Sequence, residues 1–335
     1  MGDALSRMLD ERDWVLLDGA TGTSLFAMGL EAGEAPELWN IDAPDKVRAL
    51  HRGFIEAGSD LVLTNSFGGS AYRLKLHGAE DRVHEINAAA ARLAREEADA
   101  AGRAVIVAGS VGPTGELLEP VGSLPHEDAV AAFRAQIRGL MDGGADVVWA
   151  ETLSAAEELR AAAEAAAAED APFCATLSFD TAGRTMMGVT SDSYPALAET
   201  LATRPIAIGA NCGVGASDLL RTVLGITAAG PSLPIIAKGN AGIPKYVDGH
   251  IHYDGTPELM AEYAVMARDA GARLIGGCCG TTAEHLTAMR AALEARPRGE
   301  RPAHEAIQAV LGGFSSASDG TGEVEGTARR RRRRG

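Results

Sequence analysis

The chain has 335 residues and a hydrophobic fraction of 46%, which is ample for a globular core in one large domain or two ordinary ones. Its formal charge is −15 even though residues 329–334 contribute six arginines, so the rest of the chain repels nucleic acid and anionic membrane. No apolar run approaches the ~20 residues of a membrane span, and the start "MGDALSRMLDERDW" has no apolar leader stretch.

These features predict a cytoplasmic protein without nucleic-acid or membrane partners. In that compartment the four cysteines point to metal binding or catalysis rather than to disulfides.

One pattern repeats along the chain. A short apolar run ends in Gly or a polar residue, and an Ala-rich amphipathic stretch follows. The runs are "WVLLDGA" from residue 14, "DLVLTNS" from 60, "AVIVAGS" from 104 and "DVVWAET" from 146. They continue with "FCATLSF" from 173, "IAIGANC" from 206, "PIIAKGN" from 234 and "RLIGGCC" from 273. Strands this apolar are buried on both faces, and eight such units in roughly 280 residues predict a (β/α)8 TIM barrel. A doubly wound sheet is the other arrangement that periodicity allows. Neither "DGATGT" nor "GSVGPTGE" has the spacing of a phosphate loop or dinucleotide fingerprint.

The predicted domain is a single barrel over residues 1–312, with a short last helix over 302–307. Residues 313–335 are polar and end in the arginine run, so a disordered tail is expected there.

In a barrel of this kind chemistry gathers at the C-terminal strand ends. Asp18, Asn65, Glu151, Cys212, Asn240, Cys278 and Cys279 all fall at predicted ends. Strands six and eight are two spacings of ~4.8 Å apart, within joint reach of one ion. Neighbouring strand residues face opposite ways, so Cys278 and Cys279 can converge only if the strand stops there; Gly276, Gly277 and Gly280 permit that.

Three thiolates with a fourth position open suit catalytic Zn2+. The resulting site carries net negative charge, poor for activating water but suited to holding a substrate thiol as a nucleophilic thiolate. A redox pair or inert core thiols are the alternatives. Cys174 lies inside its strand run and reads as a buried structural thiol.

"DGATGT", "LTNSFGG", "GSVGPTGE", "AET", "GANCG" and "GGCCGTT" resemble, in that order, the zinc-dependent homocysteine S-methyltransferases, over roughly residues 12 to 295. With "APELWN" and "GNAGIPKYVDGHIHYDGTP" the texture is most similar to the short bacterial betaine–homocysteine enzymes.

The resemblance implies zinc on Cys212, Cys278 and Cys279, with the homocysteine sulfur as fourth ligand. It places the homocysteine ammonium at Glu151 and its carboxylate at the amides around Asp18, Gly19 and Ala20, with Asn65 nearby. Asn240 is the expected zinc ligand when substrate is absent.

Glycine betaine is the expected methyl donor, with Trp39 and Tyr72 as its expected pocket and Phe67 and Tyr253 as further aromatics for the onium group. Animal betaine enzymes carry a tyrosine where this chain has Gly68. S-methylmethionine, a dimethylsulfonio compound, or methylcobalamin or methylfolate presented by partner modules are the alternative donors. A non-catalytic zinc-binding scaffold is the alternative of another class. The sequence sets no oligomeric state and is compatible with a homo-oligomer. His250 and His252 read as exposed loop residues and His285 as a surface or helix-packing one.

Overall fold

The computed structural model describes residues 3–242, 245–247 and 250–321. The eight apolar runs form eight parallel strands: β1 Val15–Leu16, β2 Leu61–Leu63, β3 Ile106–Val111, β4 Val147–Leu153, β5 Phe173–Leu177, β6 Ala207–Cys212, β7 Ile235–Gly239 and β8 Ala272–Gly277. Each from β2 to β8 pairs with its sequence neighbour, and β1 pairs with β8. That cyclic order is a (β/α)8 barrel, and it excludes the doubly wound sheet, in which the strand order reverses.

The seam between β1 and β2 is short of strand pairing and is closed by a carboxylate. Asp60 N–H donates to the Leu16 carbonyl at 2.7 Å, and Leu16 N–H returns to Asp60 Oδ2 at 3.1 Å. Asp60 is nearly fully buried and meets Arg12, Arg103 and Arg290 at 2.7, 3.3 and 2.9 Å. Three cations around one carboxylate offset its desolvation and fasten the seam.

The barrel interior is a packed core. Val15, Leu61, Ile106, Trp149, Ile236 and Leu274 meet there, and Leu5, Met8 and Leu9 of the first helix, Ala4–Glu11, join the same cluster. Cys174 belongs to this interior and is fully buried, which pushes its thiol far above the ordinary range. A second, larger cluster lies between the strands and the surrounding Ala-rich helices. Among the described residues no helix is long and apolar enough to cross a membrane.

The last helix is His304–Leu311. Beyond it the chain departs from the expectation of disorder from 313. The Arg221 guanidinium lies 4.4 Å over the Phe314 ring and donates to the Ser316 carbonyl at 2.7 Å. Ser315 N–H donates to Asp218 at 3.0 Å. Composition missed this because the segment docks through one ring, Phe314, and backbone groups on two buried charged residues of the helix Ala216–Ala228 rather than through an apolar run. The arginine run lies outside the described residues.

Candidate active site

The three cysteines converge at the C-terminal rim. Cys212 ends β6, and Cys278 and Cys279 follow the last residue of β8, where strand geometry gives way as the glycines allow. The sulfurs of Cys212 and Cys279 are 3.9 Å apart, and all three sulfurs lie within 4.8 Å of one another. A tetrahedral zinc with Zn–S near ~2.3 Å needs sulfur–sulfur edges of about 3.8 Å, so the spacing fits. Among the described residues this is the one cluster of His, Cys, Asp or Glu side chains arranged to hold a metal.

Charge supports the same fit. Cys279, accepting S–H hydrogen bonds from Cys212 and Cys278, is pulled down to about 3, whereas Cys212 is pushed far up by donating to both. Three thiolates this close repel one another, and a bound cation would offset that charge.

The scaffold around the sulfurs is strained and braced. Cys212 and Thr152 both have left-handed backbones, with φ of 59° and 63°. Such conformations persist only where neighbours enforce them, and at Thr152 Asn211 does so. Its Oδ1 accepts from Thr152 N–H at 2.9 Å and from the Thr176 hydroxyl at 2.7 Å. Its Nδ2 donates to Thr152 Oγ1 at 2.7 Å and reaches the Cys278 sulfur at 3.8 Å.

Asn240 joins the two cysteine loops, accepting from Cys279 N–H and donating to the Gly213 carbonyl, each at 3.1 Å. Its amide thus braces both loops, and Oδ1 keeps a second lone pair beside that hydrogen bond. Gly280, at φ 78°, is required on a second ground: a Cβ there would come within 2.4 Å of the Tyr253 ring. Close packing on Gly280 aims the Tyr253 hydroxyl at the Cys279 sulfur, where it helps hold that thiol down.

The cysteines share a cavity of about 390 Å³ with Gly19, Ala20, Asn65, Glu151, Lys238 and Tyr253, among others. Glu151, at the end of β4, is nearly buried and accepts the Ser110 hydroxyl at 2.5 Å. Burial raises its carboxyl to about 7 against the opposing pull of Lys238 and Ser110. Lys238, which the sequence reading did not single out, is 3% exposed and ion-pairs with Asp18 at 2.8 Å. Asp18 also accepts from Leu63 N–H at 2.7 Å, so this carboxylate ties β1, β2 and β7 together.

Ala20 N–H is taken by the Thr281 carbonyl at 2.9 Å and is not free for a substrate carboxylate. Asn65 donates to the Pro36 carbonyl at 2.7 Å and to Asn40 at 3.2 Å.

Trp39 and Tyr72 do not line the cavity. Trp39 is buried in the outer core with Lys46 4.1 Å from its ring centre, and Tyr72 lies on the short helix Ala71–Leu74 beside Lys75. The aromatics that do line it are Phe26, Phe67 and Tyr253. His285 is a helix-start residue: Nδ1 accepts from Thr282 N–H at 3.1 Å, which leaves Nε2 to donate to the Gly255 carbonyl at 2.8 Å. The side chains of His250 and His252 lie outside the described residues.

The family model described as homocysteine S-methyltransferase matches residues 15–293. The methionine synthases of Mycobacterium tuberculosis and Mycobacterium leprae are each 31% identical to the chain over 300 and 306 residues, 85% of it. The chain spans 25% of the length of those relatives. The metallated form of the homocysteine methyltransferase MmuM from Escherichia coli superposes with a TM-score of 0.70 at 28% identity, over 86% of this chain and 99% of that one. Its apo form gives 0.64 at 26% identity, over 85% and 97%.

Proposed function

The chain belongs to the homocysteine S-methyltransferase family, and from that premise we propose that it methylates the sulfur of homocysteine with glycine betaine, giving methionine and dimethylglycine. The observation that carries this reading is the convergence of three cysteine sulfurs in one cavity with a buried carboxylate, Glu151.

Zinc held by Cys212, Cys278 and Cys279 would keep the homocysteine thiol ionised and nucleophilic at neutral pH, where a free thiol of pKa ~8.5 is mostly protonated. Glu151 takes the substrate ammonium. An ammonium at that carboxyl removes the penalty that burial imposes and favours its charged form. The substrate carboxylate lies near Gly19 and the first turn of the helix Thr21–Ala27, whose N-terminal residues line the cavity. Lys238 balances Asp18 and moderates the negative field that Glu151 and the cysteines build.

The reaction needs a donor whose leaving atom is already positive. The sulfur lone pair forms the new S–CH3 bond, the C–N bond of betaine breaks, and nitrogen keeps that electron pair as the neutral tertiary amine of dimethylglycine, whose carboxylate retains its charge. Lining the cavity with Phe26, Phe67 and Tyr253 supports an onium donor, because aromatic faces attract quaternary ammonium groups.

Incubation of the zinc-loaded protein with homocysteine and one donor at a time tests the reading. Methionine and dimethylglycine should appear together with betaine. Turnover with S-methylmethionine or methylcobalamin alone would overturn the donor and leave the acceptor half standing; no methionine with any donor would favour a zinc scaffold.

A further inference from the structure

The cavity has a second buried carboxylate that the reaction above does not use. Glu37 lies in the 3-10 turn Pro36–Leu38, lines the same cavity and is 6% exposed. That turn is held in place by hydrogen bonds from Asn65 to the Pro36 carbonyl and from Asn40 to the Asn65 carbonyl, each 2.7 Å. The carboxylate Oε1 accepts from Gly68 N–H at 2.6 Å.

Among the described residues Glu37 has no ion-pair partner; Arg73 and His77 act on it only through their more distant charge. A carboxylate this buried is costly unless paired, and its neighbours Phe67 and Phe26 stand 38% and 51% exposed at the same cavity. Gly68 is what makes room. A Cβ there would lie 2.9 Å from Glu37 Oε1 and 3.2 Å from its carboxyl carbon, so any side chain at 68 would displace the carboxylate.

Resting on the reading of an onium donor, we infer that Glu37, which shares the cavity with Phe67 and Phe26 and is admitted by the bare backbone at Gly68, is the counter-charge of the donor's onium group. A quaternary ammonium has no N–H to donate, so it is recognised by charge and by aromatic faces. Glu37 and the two phenylalanines supply both. Glu151 serves the acceptor's ammonium and Glu37 the donor's cation, so the two substrates are sorted by separate carboxylates within one cavity.

The substitution Glu37→Gln keeps an oxygen to accept Gly68 N–H and removes the charge. It should raise the donor KM about tenfold or more, with homocysteine KM and zinc content unchanged and the melting temperature no lower. Tetramethylammonium should inhibit the wild type competitively against the donor, and its Ki should rise by the same factor in Glu37→Gln. 3,3-Dimethylbutanoate, which keeps betaine's carboxylate and replaces its onium nitrogen by carbon, should bind Glu37→Gln no more weakly than the wild type. Gly68→Ala, which pushes the carboxylate aside, should reproduce the donor-selective defect.

An unchanged donor KM and Ki in a folded Glu37→Gln protein would overturn the inference, as would an equal loss of affinity for 3,3-dimethylbutanoate. If tetramethylammonium and every onium donor fail on the wild type, the donor reading falls with it. If they bind the wild type and Glu37→Gln alike, Glu37 alone is retired.

Discussion

The two ends of the cavity are built differently. The end bearing the sulfurs is made by strand termini and braced across the barrel: Asn211 pins the left-handed Thr152, Asn240 clasps both cysteine loops, and Lys238 and Asp18 neutralise each other inside the wall. The end bearing Glu37 and Phe67 is made by loops, with half-exposed aromatics and one carboxylate lacking a salt bridge among the described residues. Metal ligation tolerates little displacement, so rigid strand ends hold it. Recognition of an onium by charge and ring faces is less directional, and loops suffice.

If that contrast is right, substitutions at the braced end should cost metal or fold, and those at the open end only affinity for one substrate. Cys279→Ala breaks the comparison most severely. Purified wild type should carry about one zinc per chain; the variant should lose most of it, and all measurable turnover, with the circular dichroism of the barrel retained. Full zinc in both Cys212→Ala and Cys279→Ala would defeat the ligand assignment.

Lys238→Met should be the costliest substitution for the fold itself. It takes the cation away from the wholly buried Asp18, a loss of about 3–5 kcal/mol. The pair Asp18→Asn with Lys238→Met should recover a large part of that in denaturant unfolding, because neither charge is then stranded. Equal destabilisation by the single and double variants would show that the ion pair contributes only packing.

Much of the braced end was legible because its chemistry is coded locally. Adjacent cysteines flanked by glycines after an apolar run already require a strand to stop and both sulfurs to turn one way. Lys238 was not legible. A single lysine in "PIIAKGN" reads as a side chain reaching for solvent, and its partner Asp18 is 220 residues away.

The open end was legible only in part, for a related reason: Phe67 and Tyr253 line the cavity, and Trp39 and Tyr72 do not. Trp39 and Tyr72 were chosen because aromatics in rim loops can face a ligand, but loop sequence does not state which way a ring points. Trp39 turns into the outer core, while Glu37, two residues earlier, turns into the cavity. The one local clue was Gly68, whose missing side chain is the space that the Glu37 carboxylate fills.

Glu151 sharpens the comparison with a pH dependence. Its carboxyl is raised from 4.5 to about 7 in the folded chain, chiefly by burial. Its contribution to stability is therefore present below pH 4.5, where the group is protonated in both states, and is lost as pH rises through 7. Glu151→Gln should consequently melt higher than the wild type above pH 7, by the order of 2 kcal/mol, with the difference shrinking toward pH 5. Its homocysteine KM should rise while the donor KM stays constant. A variant less stable than the wild type at pH 8 would mean that the carboxylate is better paired in the free enzyme than Ser110 and Lys238 make it.

The smallest expected effect lies outside both ends and sets the boundary of the contrast. The segment after the last helix runs back over the barrel, with Phe314 under the Arg221 guanidinium and edge-on to His304 at 5.5 Å, and Gly320 backed against Gly183 in the loop that follows β5. Phe314→Ala removes one half-exposed ring and one cation–π contact, about 1 kcal/mol, and should lower the melting temperature by a few degrees. Both KM values should stay unchanged, because neither Gly183 nor its neighbours line the cavity. A shift in donor KM alone would show that the docked tail helps order the rim loops. The open end would then depend on a contact far from it in sequence, as the braced end depends on Asp18 and Lys238.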